Sequence, residues 1–162
     1  MNENILIVAV DLSLSDHRDA LVTLLNSYAL DPMGGGEALT EQVRAALPGA
    51  LEKRLDYVGV MAAKDNKYIG LVNCFEGFST FDCRPLLNIH DVIVASESRG
   101  QGVSRLMLEA VADIARQRGC GKLTLEVLEG NKLAQSAYRA LGFAPYGLDP
   151  KMGNAMFWDK SL

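Results

Sequence analysis

Gly100 and Gly102 stand one residue apart where an apolar run, Leu86 to Val94, gives way to a long amphipathic stretch, Gly102 to Arg118. No other junction in the chain constrains its fold as tightly. The run before it is rich in branched aliphatic residues and reads as a strand. The stretch after it carries Val103, Leu106, Met107, Ala110, Val111 and Ile114 on one face and reads as a helix stopped by Gly119 and Gly121. Glycines at 100 and 102 remove the side chains that would keep a ligand off the backbone. The first helical turn adds N–H groups without intrahelical partners and the positive end of the helix dipole. The loop Arg99-Gly100-Gln101-Gly102-Val103-Ser104 is therefore an anion cradle that suits a pyrophosphate. Taken alone, it is equally compatible with a tight turn that holds nothing.

Two nucleotide loops are excluded by the residues present. A dinucleotide fingerprint needs a third glycine where this chain has Arg105, and the loop opens no βαβ unit. A Walker A loop needs Gly-Lys-Ser/Thr, and Gly121-Lys122-Leu123 fails at its last position.

The remaining elements are legible from periodicity and punctuation. Ile5 to Val10 reads as a buried strand. Ser15 or Asp16 caps a helix with Leu21, Leu24, Leu25 and Tyr28 on its apolar face. Asp31-Pro32-Met33-Gly34-Gly35-Gly36 cannot continue it and forms a loop. Thr40 and Glu41 open a second helix, which Pro48-Gly49 ends or kinks. Tyr57 to Ala63 and Tyr68 to Phe78 form a hairpin over the polar turn Lys64-Asp65-Asn66-Lys67. After the glycine loop and its helix, Lys122 to Leu128 is a strand, Asn131 to Leu141 a helix closed by Gly142, and Ala155 to Lys160 a final strand. There is no repeat, low-complexity tract or linker, and 162 residues suit one domain spanning 1–162. The order β-α-α-β-β-β-α-β-α-β predicts a mixed α/β architecture.

The joint pattern carries a resemblance. Val92-Ile93-Val94 leads into Arg99-Gly100-x-Gly102, and Asn131-Lys-Leu-Ala134-Gln-Ser-Ala-Tyr138-Arg-Ala-Leu-Gly142-Phe143 follows. This resembles the GNAT superfamily of acetyltransferases, well over the last half of the chain and by element order over the first. The fold implied is α/β (α+β): a mixed, mostly antiparallel central sheet with splayed strands, flanked by helices on both faces. The cofactor implied is acetyl-CoA. By resemblance, Val92, Ile93 and Val94 bond the pantetheine arm between the splayed strands, and Arg99, Gly100, Gln101, Gly102, Val103 and Ser104 take the pyrophosphate. Ser104 departs from the usual Gly or Ala but is still small. Asn131 matches the position that contacts the pantetheine or caps the next helix, and Tyr138 the general acid to the leaving thiolate.

The resemblance implies acetyl transfer to a primary amine by direct attack on the thioester. Its alternative is a coenzyme A-binding regulatory module without turnover. A base or a water chain must take the ammonium's proton, and His90, Asp91 and Glu76 are the candidates. His90-Asp91 occupies the place of a Leu-Glu-Asp sequence in spermidine/spermine acetyltransferases; histidine in place of glutamate keeps a base but weakens a polyamine assignment. His90 is otherwise a strand histidine satisfied by Asp91 or a carbonyl, and His17 reads as a surface residue. Phe75, Phe78 and Phe81 either line an acceptor pocket or belong to the core, and Asp31 and Glu37 in the helix-to-helix loop could attract an amine.

Composition sets the partners. A net charge of −4 argues against nucleic acid and anionic membrane, and leans toward a cationic acceptor, a small-molecule amine or a peptide. Ile5 to Val10 is too short to span a bilayer. Cys74, Cys83 and Cys120 match no zinc spacing and read as reduced, buried thiols of a cytoplasmic protein, with no metal site. Met156-Phe157-Trp158 offers a strand through which a homodimer could form.

Overall fold

Five strands form one sheet in sequence order, β1 to β5. The computed structural model describes residues 4–162 and places them in two compact units, one ending at Leu128 and one running from Glu129 to Leu162. The sheet belongs to the first. β1 (Leu6–Ala9), β2 (Tyr57–Lys64), β3 (Lys67–Ser79) and β4 (Arg84–Val94) are antiparallel, and β5 (Leu123–Leu125) joins β4 in parallel. The β2–β3 turn is Asp65-Asn66 with φ of 50° and 60°, the left-handed pair that matches the twist of a hairpin.

Two irregularities matter for the site. Asn73 faces Asp91 while Cys74 faces Ile89, so His90 is an extra residue bulged out of β4. The β4–β5 ladder runs only from Leu87 opposite Leu123 to Ile89 opposite Leu125. Beyond the bulge, the described residues place no strand against that edge of β4.

Helices cover both faces of the sheet. α1 (Ser15–Leu30) and α2 (Glu41–Glu52) bury Leu21, Leu24 and Leu51 against Met61, Leu71 and Ile93 on one face. α3 (Val103–Gln117) buries Val103, Met107, Leu108, Val111 and Ala115 on the other. Gly70 lets α3 descend onto β3, since a Cβ there would lie 2.8 Å from Met107 Cε and 3.1 Å from Val103 Cγ1. Each fully buried side chain of this kind contributes about 1.5–3 kcal/mol.

Several local expectations are corrected. Neither Ser15 nor Asp16 caps α1; Leu14 stands at its N-cap without a side-chain bond. Pro48 does not end α2, which continues to Glu52, because burial of Pro48 and Leu51 outweighs the one hydrogen bond that proline forfeits. Thr40 caps that helix as expected, accepting from Val43 N–H. His17 is buried: its Nδ1 accepts the Asp11 N–H at 2.9 Å and its ring stands edge-on to Tyr68. Of the thiols, Cys74 is buried, Cys120 half-buried and Cys83 exposed in a turn at φ 51°.

The second unit contains α4 (Lys132–Ala140), capped by Asn131 Oδ1 accepting from Ala134 N–H at 3.1 Å. The strand expected at Ala155 to Lys160 does not form; an isolated bridge between Gly147 and Asn154 is the nearest pairing. Met156, Phe157 and Trp158 carry a strand's composition but are exposed and pair with no strand among the described residues.

Candidate active site

Backbone parity along β4 determines what its free edge offers. Ala95 N–H donates to the Ile69 carbonyl at 2.9 Å, so residues 91, 93 and 95 turn their backbone groups toward β3. Val92 and Val94 turn theirs the other way, to the edge that β5 leaves after Leu125. Arg99 Nε reaches the Val94 carbonyl from that side at 3.3 Å. Ile93 is oriented differently, with its side chain in the α1 core and its backbone toward Leu71.

The glycine loop continues from this edge. Gly100 and Gly102 have φ of 75° and 78°, and a Cβ on either would meet no atom within 4 Å. Gly102 caps α3 without offering a side-chain oxygen, so the first turn's N–H groups, at Val103 and Ser104, have no side-chain cap. Both side chains beside the glycines are tied back. Gln101 Nε2 donates to the Glu97 carbonyl at 3.1 Å. Arg99 Nη2 pairs with Asp31 Oδ2 at 3.1 Å, which fastens the α1–α2 loop to the glycine loop. The Met33 N–H, and then Arg99, hold the Asp31 carboxyl below the usual carboxylate range.

On the α1 face, the bulge brings His90 and Asp91 beside aromatic rings. The His90 ring stands edge-on to Phe75 at 5.5 Å, and Phe75 lies 5.8 Å from Tyr57. Asp91 Oδ2 accepts from Asn73 Nδ2 at 3.0 Å, and Asn73 Oδ1 accepts from the Tyr57 hydroxyl at 2.9 Å. Tyr28 of α1 belongs to the same region, its phenol raised first by burial and then by the Asp91 charge. Glu76 does not join them. It shares the α3 side of the pleat with Gly70 and accepts from Arg118 Nη1 at 2.9 Å. Phe78 and Phe81 are exposed and do not converge with Phe75. In the second unit, the Tyr138 ring contacts Phe143 at 5.9 Å and Asn131 is the α4 cap.

Tyr28, Tyr57 and Asn73 are absent from the sequence-derived set. Asn73 had a signal: a polar residue inside the apolar run Leu71-Val72-Asn73-Cys74 must be paired if buried. The tyrosines had none, since an aromatic in a strand or on an apolar helix face is ordinary core.

A parallel pair that parts beside a glycine-lined helix start defines a class of fold. Residues 22–143 match the model of the Acetyltransferase (GNAT) family, and the chain belongs to that family. Streptothricin acetyltransferase of Streptomyces lavendulae is 49% identical over 63 residues, 39% of this chain and 33% of that protein. Thialysine N-epsilon-acetyltransferase of Bos taurus is 40% identical over 65 residues, 40% of this chain and 38% of that protein. The matched stretches thus span only about a third of the length of either relative. Among solved structures, a probable acetyltransferase superimposes with TM-score 0.76 at 22% identity, over 98% of this chain and 99% of the other. An aminoglycoside acetyltransferase from a soil metagenomic sample, solved with sisomicin, gives 0.78 at 13% identity, over 98% and 96%. At these identities the likeness is one of fold.

Proposed function

We propose that this chain transfers an acetyl group from acetyl-CoA to a primary amine by direct attack on the thioester, with residues 1–162 working as a single domain. One observation carries the proposal: the backbone groups of Val92 and Val94 turn to an unpaired edge of β4 that leads into an open glycine loop at the start of α3. An extended amide-bearing arm fits the first part and a pyrophosphate the second. Relatives named for streptothricin and thialysine support an amine as acceptor.

Acetyl-CoA, when bound, supplies the activated acetyl carbonyl. The chain's residues do the rest. Val92 and Val94 would hold the arm through their backbone, and the N–H groups of 100–104 would hold the phosphates, the Arg99 N–H being turned to the Ser96 carbonyl at 3.4 Å. The Val94 N–H, turned to the open edge of β4, would be the donor nearest to hand for the thioester carbonyl oxygen. Arg99 acts here through its tie to Asp31 and the Val94 carbonyl, shaping the loop as well as adding charge. Asp91 holds the incoming ammonium and His90 takes its proton; the return of a proton to the leaving sulfur is assigned to Tyr138 on the family resemblance alone. Asn131 sets the start of the helix that carries Tyr138. A cytoplasmic location and a homodimer belong to the same proposal, with cell fractionation and sedimentation as their checks.

The test is thiol release from acetyl-CoA across a library of primary amines. Release that depends on the amine is expected for at least one member. Binding of acetyl-CoA without release for any amine would favour a coenzyme-binding module instead.

A further inference from the structure

We infer that Tyr57 and Asn73 are positioning residues: a buried hydrogen-bond chain that fixes Asp91 as the anchor for the acceptor's ammonium group. The inference rests on the acetyl-transfer proposal and names how that site selects cationic amines.

Direction along the chain is forced by chemistry. Asn73 is only 3% exposed, in the middle of the sheet, where an unpaired amide would be costly. Burial pushes the Tyr57 phenol well above its usual range, so it remains a hydroxyl. Its O–H donates to Asn73 Oδ1, which directs the Asn73 amide nitrogen to Asp91 Oδ2. A group that can only donate at that contact keeps Asp91 an acceptor and holds its plane. One carboxylate oxygen is thereby engaged, and the other makes no side-chain hydrogen bond among the described residues.

Charge supplies the second, independent observation. Asp31, Glu76 and Asp82 each have a cationic partner in Arg99, Arg118 and Lys122. Asp91 is half-buried, like Asp31 and Glu76, yet no cation pairs with it among the described residues. Its hydrogen-bond partner is Asn73 of β3, its charge reaches Tyr28 of α1, Tyr57 of β2 and Cys74 of β3, and His90, edge-on to Phe75, precedes it in β4. A half-buried carboxylate without a cationic partner, in a region that also holds Tyr28, Tyr57 and the Phe75 ring, attracts a cation from outside the protein. A primary ammonium has the size and donors to fill that role, whereas a neutral alcohol of the same length does not.

The test pairs kinetics with a measurement that needs no turnover. Tyr57→Phe removes the donor that orients Asn73, and Asn73→Leu keeps much of the volume but removes the donation to Asp91. Both are expected to raise KM for the amine about tenfold or more, the factor expected for a lost charge-assisted hydrogen bond, with KM for acetyl-CoA unchanged. Melting curves establish that both variants are folded. In parallel, n-butylammonium chloride and 1-butanol are titrated into the 15N-labelled protein with coenzyme A present. The ammonium is expected to move the Asn73 side-chain amide resonances saturably, the alcohol to leave them in place, and Tyr57→Phe to weaken the response at least tenfold. An amine KM unaltered in both folded variants, or an equal response to ammonium and alcohol, overturns the inference. Saturable ammonium binding without thiol release for any amine leaves the anchor standing and removes the acetyl-transfer proposal; release with unaltered KM in the variants does the reverse.

Discussion

Three cysteines of one chain differ in chemistry because of where the backbone puts them. Burial, and next the Asp91 charge, push the Cys74 thiol up to about 12, whereas Cys83 is exposed. A thiol reagent at pH 8 is therefore expected to label Cys83 within seconds to minutes and Cys74 only after denaturation, as read by mass spectrometry of peptides. The same shift fixes the sign of a pH dependence. The unfolded chain loses that proton near 9.0 and the folded chain near 12, so stability from Cys74 is intact below pH 9 and declines above it. The decline is about 1.4 kcal/mol per pH unit, and Tyr57, raised by burial too, adds to it at higher pH. Urea melts from pH 8 to 10.5 should show the loss, and Cys74→Ala should make it shallower. For chemistry, Tyr138→Phe is expected to lower kcat at least tenfold while leaving coenzyme affinity within about twofold, checked by calorimetry and turnover. His90, Asp91 and Glu76 looked alike as candidate bases in the sequence. The bulge at His90 and the pleat separated them, placing Glu76 across the sheet with Arg118.

At the level of elements, turns and helices were more legible than their limits. The Asp65-Asn66 turn, the Thr40 cap and the glycine-started α3 follow from local chemistry and stand in the structure. Pro48 inside α2 and the unpaired Ala155 to Lys160 stretch do not, because burial in one case and the lack of a partner in the other are set by distant residues. The loop yields a direct prediction. Gly102→Ala must hold φ near 78° with a Cβ that meets no protein atom, so it should cost about 1 kcal/mol of stability. Its methyl would project into the space beside the α3 start, and acetyl-CoA affinity measured by calorimetry should fall about tenfold or more. Met107→Ala tests the other side of the sheet: it empties a fully buried site between α3 and Gly70 and should cost about 2–5 kcal/mol in urea melts, without altering the loop.

For the whole molecule, coenzyme binding and stability are linked. A ligand that binds only the folded state adds about 2.7 kcal/mol at a hundredfold excess over Kd, so saturating acetyl-CoA should raise Tm by several degrees in a thermal melt. An unmoved Tm would remove the coenzyme from the proposal. The sequence by itself determined the glycine loop, its anion-binding logic, the family pattern from Val92 to Phe143 and most of the element order, because each rests on residues near one another in the chain. Tertiary structure decided what no local pattern encodes. The parting of β4 from β5 after Ile89 left the backbone groups of Val92 and the Val94 N–H with no strand to pair with among the described residues, while the Val94 carbonyl accepts from Arg99. Packing against Tyr68 made His17 a core residue, and pairing across three strands joined Tyr57, Asn73 and Asp91 into one chain of hydrogen bonds. Which face a strand residue occupies depends on register, and register is settled only when the neighbouring strands and the helices over them are in place.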